Sequence, residues 1–292
     1  MLSCSLFNVP NKDTYPPFKN GLYMEEYFFQ YMMKSGLRFD KNDRLYIPVI
    51  WTNFQIEDWF EERRNEMQES LDAWICSNPS SSGYFTVVQY DDGPKLRLPE
   101  NTIIYGACSG TIPLPLIYED LEGRLLQGKQ GVQKTFSEKT SLCSFVGTNT
   151  HYVRSRVFDI LNGCAGFEFY FRGGWSPIVE EGLQRGFIEK TVESKFALAP
   201  RGYGRSSFRF FEIFALGSIP IYIWDDIEWL PYKDILDYST FCISLHVDRL
   251  GELPEILNSI DEVKYNEMLS AYEKIKHMFE LEYMCRYICE NL

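Results

Sequence analysis

Between Lys195 and Ile223 the chain concentrates residues that can hold an anion. Lys195 to Pro200 (KFALAP) reads as a strand, Arg201-Gly202-Tyr203-Gly204-Arg205-Ser206-Ser207 as a glycine- and serine-rich loop, and Phe208 to Leu216 as a helix halted by Gly217. The two glycines permit φ > 0 and close approach of backbone N–H groups to a ligand, and Ser206 or Ser207 stands where an N-cap hydroxyl belongs. The N-terminus of such a helix offers unpaired N–H groups and the positive end of its dipole, so a pyrophosphate is its natural guest. Arg209 and Glu212, three residues apart, share one helix face, while Phe208, Phe211, Ile213 and Phe214 supply the buried one. An arginine there forms charge-assisted hydrogen bonds to phosphate of about 1.5–3 kcal/mol each. A glutamate one turn on can accept from the two hydroxyls of a ribose, as acidic residues do in other nucleotide sites. The competing reading is a surface ion pair on an ordinary amphipathic helix, contributing tenths of a kcal/mol.

Other chemistries have less material. Three histidines (His151, His246, His277) lie far apart in sequence, which argues against a histidine zinc site or a histidine-dependent triad. The eight cysteines show no CxxC and no metal-ligand spacing, so free thiols are expected, including Cys285 and Cys289 on one helix. No D-x-D pair occurs. Asp91-Asp92 and Asp225-Asp226 are adjacent carboxylates, whose side chains diverge on extended backbone, so charge neutralisation falls to Arg201, Arg209 and the helix N-terminus, with no metal and no cofactor expected. A net charge of −12 without a basic cluster disfavours nucleic acid and anionic membrane surfaces as partners. The N-terminus lacks a basic leader region and no apolar run of about 18 residues occurs, so a soluble, cytoplasmic chain without a transmembrane segment is expected.

The elements that must position these groups alternate. At 292 residues and 45% hydrophobic content the chain suits two globular α/β domains. Gly21 to Ser35 has helical spacing and stops at Gly36; Arg44 to Trp51 reads as a buried strand despite Pro48; Ile56 to Ser77 is helical. Tyr84 to Tyr90 is a second strand, cut off by the turn residues Asp91-Asp92-Gly93-Pro94. Asn101 to Ile117 suggests a short strand and a loop. The polar stretch Gln127 to Thr140 marks a domain boundary at 138/139. Beyond it Ser141 to Val146 opens a new strand, followed by Gly147-Thr148-Asn149 and a helix from Tyr152, the way a Rossmann-like half begins. Strands at Phe167–Phe171, Lys195–Ala199, Ser218–Trp224 and Thr240–Leu245 predict a second, parallel sheet. Asp261 to Cys289 is a largely helical tail.

The run KFALAPRGYGRSSFRFFEIFALGSIPIYIWDD, followed by WLPYKDILDYSTFCI, closely resembles the donor-binding half of the exostosin-type enzymes, glycosyltransferase family 47. Strand, PRG loop, R-x-x-E helix and the next strand come in the family's order. Weaker similarity runs back through SLCSFVGTNTHYVRSRVFDIL to YFTVVQYDDGP and RLYIPVIWTN. The resemblance implies an α/β fold of GT-B type, with two Rossmann-like domains facing a central cleft. Residues 1–138 would bind the acceptor, 139–262 the nucleotide sugar, and 263–292 would form a helix packing back on the first domain. It implies inversion at the anomeric carbon, a UDP-sugar as donor substrate and an oligosaccharide or glycoprotein as acceptor. The missing membrane anchor suits a cytosolic or virus-encoded enzyme, with xylose as the suggested sugar.

By the same resemblance Arg201, Arg209 and Glu212 are donor contacts, together with the loop residues Tyr203, Gly204, Ser206 and Ser207, while Gly147 and Arg154 border the donor phosphates. An inverting displacement needs a base opposite the leaving group. Asp91 follows the strand Tyr84–Tyr90, where open α/β sheets place ligands, and it falls on the family's "hDwGp" element; a plain turn is the alternative. Asp92, Glu57 and Asp58 are reserves. The acceptor side is assigned to Trp51, Asn53, Tyr90 and Asp92, with Trp59 and Trp175 as further aromatics that either stack on sugar rings or pack in the core. A catalytically inactive nucleotide-sugar or glycan-binding protein would share this donor grip. A Rossmann oxidoreductase is disfavoured, because G-x-G-x-x-G and its following acidic residue are missing.

Overall fold

Hydrogen-bonded pairing in the computed structural model assembles two separate, wholly parallel sheets. The structure describes Phe7 and residues 21–35, 44–130, 134–174, 176 and 179–292. Cys4, Gly36 and Trp175 lie outside the described residues.

The first unit is built from residues 21–119 and 280–292. Its strands β1 (Leu45–Tyr46), β2 (Tyr84–Val88), β3 (Thr102–Gly106) and β4 (Ile112–Pro113) lie in the order β1-β2-β3-β4. Helices α1 (Met24–Ser35), α2 (Trp51–Gln55) and α3 (Phe60–Ser77) belong to it. Every residue of β2 is buried, as its unbroken apolar run YFTVV requires of an inner parallel strand covered on both faces. The strand expected over Arg44–Trp51 is cut to two residues. The Ile47 amide still donates to the Phe85 carbonyl at 2.8 Å, but Pro48 has no N–H to extend the ladder, and from Trp51 the chain winds into α2. Phe7, Ile47, Val49, Trp51, Phe54 and Phe60 form the centre of this core.

The second unit spans 120–279 among the described residues. It holds α4 (Arg124–Lys129), β5 (Ser141–Thr148), α5 (Tyr152–Leu161), β6 (Phe167–Arg172), α6 (Glu181–Glu193), β7 (Ser194–Pro200), α7 (Phe208–Ala215), β8 (Ile219–Trp224), β9 (Ile243–His246), α8 (Leu253–Asn258) and α9 (Glu262–Ile275). The strand order is β6-β5-β7-β8-β9. Its core joins Phe145, Val157, Phe196, Ile221 and Leu250 to Tyr265 and Met268 of α9.

Both ends of this unit differ from the sequence expectation. The division falls between Glu119 and Asp120 rather than at 138/139. In the intervening stretch Lys129 Nζ donates to the Ala215 carbonyl at the end of α7 at 3.2 Å. Lys139 Nζ, buried, donates to the Val192 and Ser194 carbonyls and to Ser218 Oγ at 2.8–3.0 Å. At the other end the tail divides: α9 supplies core residues to the second unit, and only α10 (Leu281–Glu290) belongs to the first. There it buries Leu281, Met284, Cys285 and Ile288, and Glu282 accepts from the Tyr27 hydroxyl of α1 at 3.2 Å.

Candidate active site

In the second sheet the chain begins at β5, steps to β6 on one side, and reaches β7 on the other. Open parallel sheets place ligands at the carboxyl ends of strands where the order reverses in this way. Here the two strands part: β5 and β7 pair as far as Ser144↔Ala197, and Phe145–Thr148 runs on without a partner on β7. The Arg154 guanidinium bridges the opening. It donates to the Thr148 carbonyl at 2.6 Å, the Arg201 carbonyl at 3.2 Å and the Pro200 carbonyl at 3.4 Å. Arg154 therefore sits at the strand ends and fastens the two strands together.

Gly202 faces this clasp. A Cβ there would lie 3.0 Å from Arg154 Nη2 and 3.3 Å from Thr150 Oγ1, and Gly202 does not occupy the positive-φ region. What a side chain at this position would meet is therefore crowding against the clasp, not the positive φ expected from the sequence. Gly202→Ala should lower the unfolding free energy by about 1–3 kcal/mol, the cost of overpacking. Denaturant unfolding checks this; an unchanged value would show that the guanidinium has room.

Arg201 turns inward. Its Nη1 lies 2.7 Å from Asp225 Oδ1 and 2.9 Å from Asp226 Oδ1, and its Nη2 donates to the Tyr203 carbonyl at 2.8 Å. Arg205 pairs with Asp226 at 2.7 Å. Two corrections follow. Arg201 meets two carboxylates, so its charge is largely compensated within the protein rather than held open for phosphate. Asp225 and Asp226, expected to diverge, converge on one nitrogen because β8 ends at Trp224 and the pair lies in a bend. Burial works to raise the Asp226 pKa, yet the Arg205 hydrogen bond, the Ile227 amide and the two arginine charges outweigh it and hold the carboxyl well below the usual range.

Two rim residues escaped the sequence reading. His151 caps α5, its Nδ1 accepting from the Val153 amide at 3.3 Å; burial, then the charge of Arg201, depresses its pKa and keeps the ring neutral. Beside the exposed Tyr152 hydroxyl, the Asp225 carboxylate raises the pKa of the phenol. Their position just after β5 was the available signal.

At α7 the N-cap is Ser207, whose hydroxyl accepts from the Arg209 amide at 3.3 Å. Arg209 and Glu212 share a face as expected, 3.5 Å apart, and Glu212 is buried. The guanidinium also lies 3.6 Å from the ring centroid of Phe187 on α6. On the core side Phe210 replaces Phe208 and Phe211: it packs on Tyr222 and Tyr238, and the other two are half-buried. Tyr203 is exposed, Gly204 buried and Ser206 half-buried; Gly147, in β5, lies close over Phe145.

In the first unit Asp91 and Asp92 are the central residues of a turn closed by the Gly93 amide donating to the Tyr90 carbonyl at 3.0 Å. Gly93 takes φ +79°, so the turn reading holds as geometry, and it leaves Asp91 half-buried at the carboxyl end of β2 and Asp92 exposed. Gln55 at the end of α2 holds the turn from behind: its Nε2 donates to the Gly93 carbonyl at 3.1 Å and its Oε1 accepts from the Lys95 amide at 2.7 Å. Tyr90 lies under the Lys95 ammonium, 5.0 Å from the ring centroid. Trp51 has no exposed surface and its Nε1 donates to Thr86 Oγ1 at 2.8 Å; it is a core residue and leaves the acceptor set. Asn53 is also buried, its amide donating to Glu26 at 3.2 Å, so it orients neighbouring groups rather than facing a sugar. Trp59 packs half-buried against the same core.

No group of three or more His, Cys, Asp or Glu side chains that could hold a metal ion occurs among the described residues. No described helix is long and apolar enough to cross a membrane.

Known proteins resemble the chain in sequence. An Arabidopsis thaliana protein named as a probable glycosyltransferase is 31% identical over 101 residues, 34% of this chain and 21% of the plant protein. A second one is 30% identical over 105 residues, 35% of this chain and 20% of its own length. The chain thus spans about a fifth of the length of the plant relatives it matches. The exostosin-1 homolog of Caenorhabditis elegans is 23% identical over 249 residues, 72% of this chain and 63% of that protein. The profile of the exostosin GT47 domain matches residues 112–260, from β4 through the whole second sheet and just over half of the chain: the protein belongs to the exostosin GT47 family.

Proposed function

We propose that this chain is an inverting glycosyltransferase of GT-B type, which moves a sugar from a UDP-sugar to a hydroxyl of an oligosaccharide or glycoprotein glycan. The observation that carries the reading is the parting of β5 and β7, with the Arg154 clasp, the close-packed Gly202 and the capped start of α7 gathered at their carboxyl ends. In this assignment the amides at the start of α7, Arg209 and the loop Tyr203–Ser207 hold the diphosphate, and Glu212 takes the ribose hydroxyls. Arg201, tied to Asp225 and Asp226, shapes the loop, and Arg154 keeps the strand ends at a set distance. Charge neutralisation by these groups needs no divalent ion.

The chemical step is a displacement at the anomeric carbon. The acceptor oxygen forms a bond to that carbon, the bond from carbon to the diphosphate oxygen breaks with its electron pair leaving on UDP, and the hydroxyl proton passes to the Asp91 carboxylate. A panel of UDP-sugars, beginning with UDP-xylose, tests the reading by UDP release. One donor should give slow hydrolysis alone and faster release with a glycan acceptor. Binding of a donor without any turnover would make the chain a nucleotide-sugar-binding protein.

A further inference from the structure

Resting on the glycosyl-transfer reading above, we propose that Glu25 is a positioning residue for the acceptor side of the reaction: its carboxylate sets the place of the Tyr90–Gly93 turn, and so of Asp91, relative to α2. Glu25 stands in the first turn of α1 and is 2% exposed. One carboxylate oxygen accepts from the Gln89 amide, the last residue before the turn, and from the Thr52 hydroxyl at 2.9 Å. The other accepts from the Thr52 amide at 2.9 Å. On the far side of the turn Gln55 holds the Gly93 carbonyl and the Lys95 amide. The turn is therefore fastened to α2 at both shoulders, directly by Gln55 and through Glu25.

An apolar side chain of the same size would leave the Gln89 and Thr52 amides unpaired; beyond satisfying them, the carboxylate sets a defined spacing between three backbone segments. A second observation points the same way. Gln89 is 5% exposed and its side-chain Oε1 is buried without a hydrogen-bond partner. A buried acceptor without a protein partner is uncommon and calls for a local explanation. This one marks the strand end that Glu25 holds. The groups facing Glu25 are Glu26 on α1 itself, Tyr46 on β1, Thr52 on α2 and Gln89 beyond β2. Burial pushes the Glu25 pKa up to about 7, against the lowering effect of the Gln89 and Thr52 donors and with a further rise from the charge of Glu26. The ionised form makes the three bonds, so they strengthen as pH rises through neutrality.

The test is Glu25→Gln in the full chain, with Thr52→Val, which removes one of the three bonds, as the milder second variant. The expected result for Glu25→Gln is a loss of tenfold or more in kcat for transfer to a glycan acceptor. The KM for the UDP-sugar and donor hydrolysis without acceptor should stay within about twofold of wild type. The wild-type kcat should rise with pH through about 7, and that limb should vanish in the variant. Thr52→Val should lose roughly threefold in kcat in the same direction. Transfer per folded molecule within twofold of wild type for both variants would overturn the proposal, as would a parallel loss of donor binding. A wild-type chain that neither binds UDP nor releases it from any UDP-sugar would instead overturn the glycosyl-transfer reading, so the two failures are distinct.

Discussion

Asp91→Asn is expected to lower the rate of sugar transfer by a factor of about 10²–10⁴, the usual contribution of a positioned general base, while leaving UDP affinity unchanged. Asparagine keeps the size of the side chain and suits the same turn, so the turn closed by Tyr90 and Gly93 and held by Gln55 should persist. What disappears is the proton acceptor. The groups proposed to hold the donor lie on the second unit, at the ends of β5 and β7 and the start of α7, so a defect confined to transfer is the signature expected of a base carried by the first. Steady-state rates at saturating donor, together with a UDP titration of the same preparation, check both halves. Full activity in the variant would pass the role to Asp92, Glu57 or Asp58.

Arg209→Ala should reduce kcat/KM by about 10²–10³, the scale of losing one donor that meets charge developing in the transition state. The structure sharpens the expectation. Packed over the Phe187 ring and with one nitrogen 3.5 Å from Glu212, the guanidinium is held on the same face as the proposed ribose acceptor. Arg209→Lys keeps the charge but not the planar fork, so it should recover part of the loss. Kinetics unchanged in both variants would leave Arg209 as a partly exposed ion pair, with a contribution of tenths of a kcal/mol to stability.

Much of the second unit was legible from the sequence because buried parallel strands are written as continuous apolar runs with turn residues between them. SLCSFV, KFALAP and SIPIYI each fall on an observed strand. Helix α6 and the short α4 escaped, since their apolar positions are sparse and glycines interrupt them. The first sheet was read less well: Pro48 ends β1 after two paired residues, and the aromatic Trp51 that looked like strand or sugar platform is the first residue of a buried helix.

At the site, glycine, serine and the R-x-x-E spacing carry local chemistry and could be read directly. Other relations are tertiary and have no spacing to betray them. Arg154 reaching the carbonyls at the end of β7, Asp225 and Asp226 meeting on Arg201, and Glu25 gripping the Gln89 amide all depend on chain separations of 24 to 64 residues or on a bend that composition does not announce. For that reason Arg201 looked like a phosphate ligand when its nearest anions belong to the protein.

The most direct test is a calorimetric titration of the full chain with UDP in the presence of EDTA. A saturable, single-site binding heat that is retained in the chelator and lost in Arg209→Ala is the predicted result. No binding heat, or heat that appears only when a divalent metal is restored, would contradict a diphosphate site made of helix amides and arginine at the parting of β5 and β7.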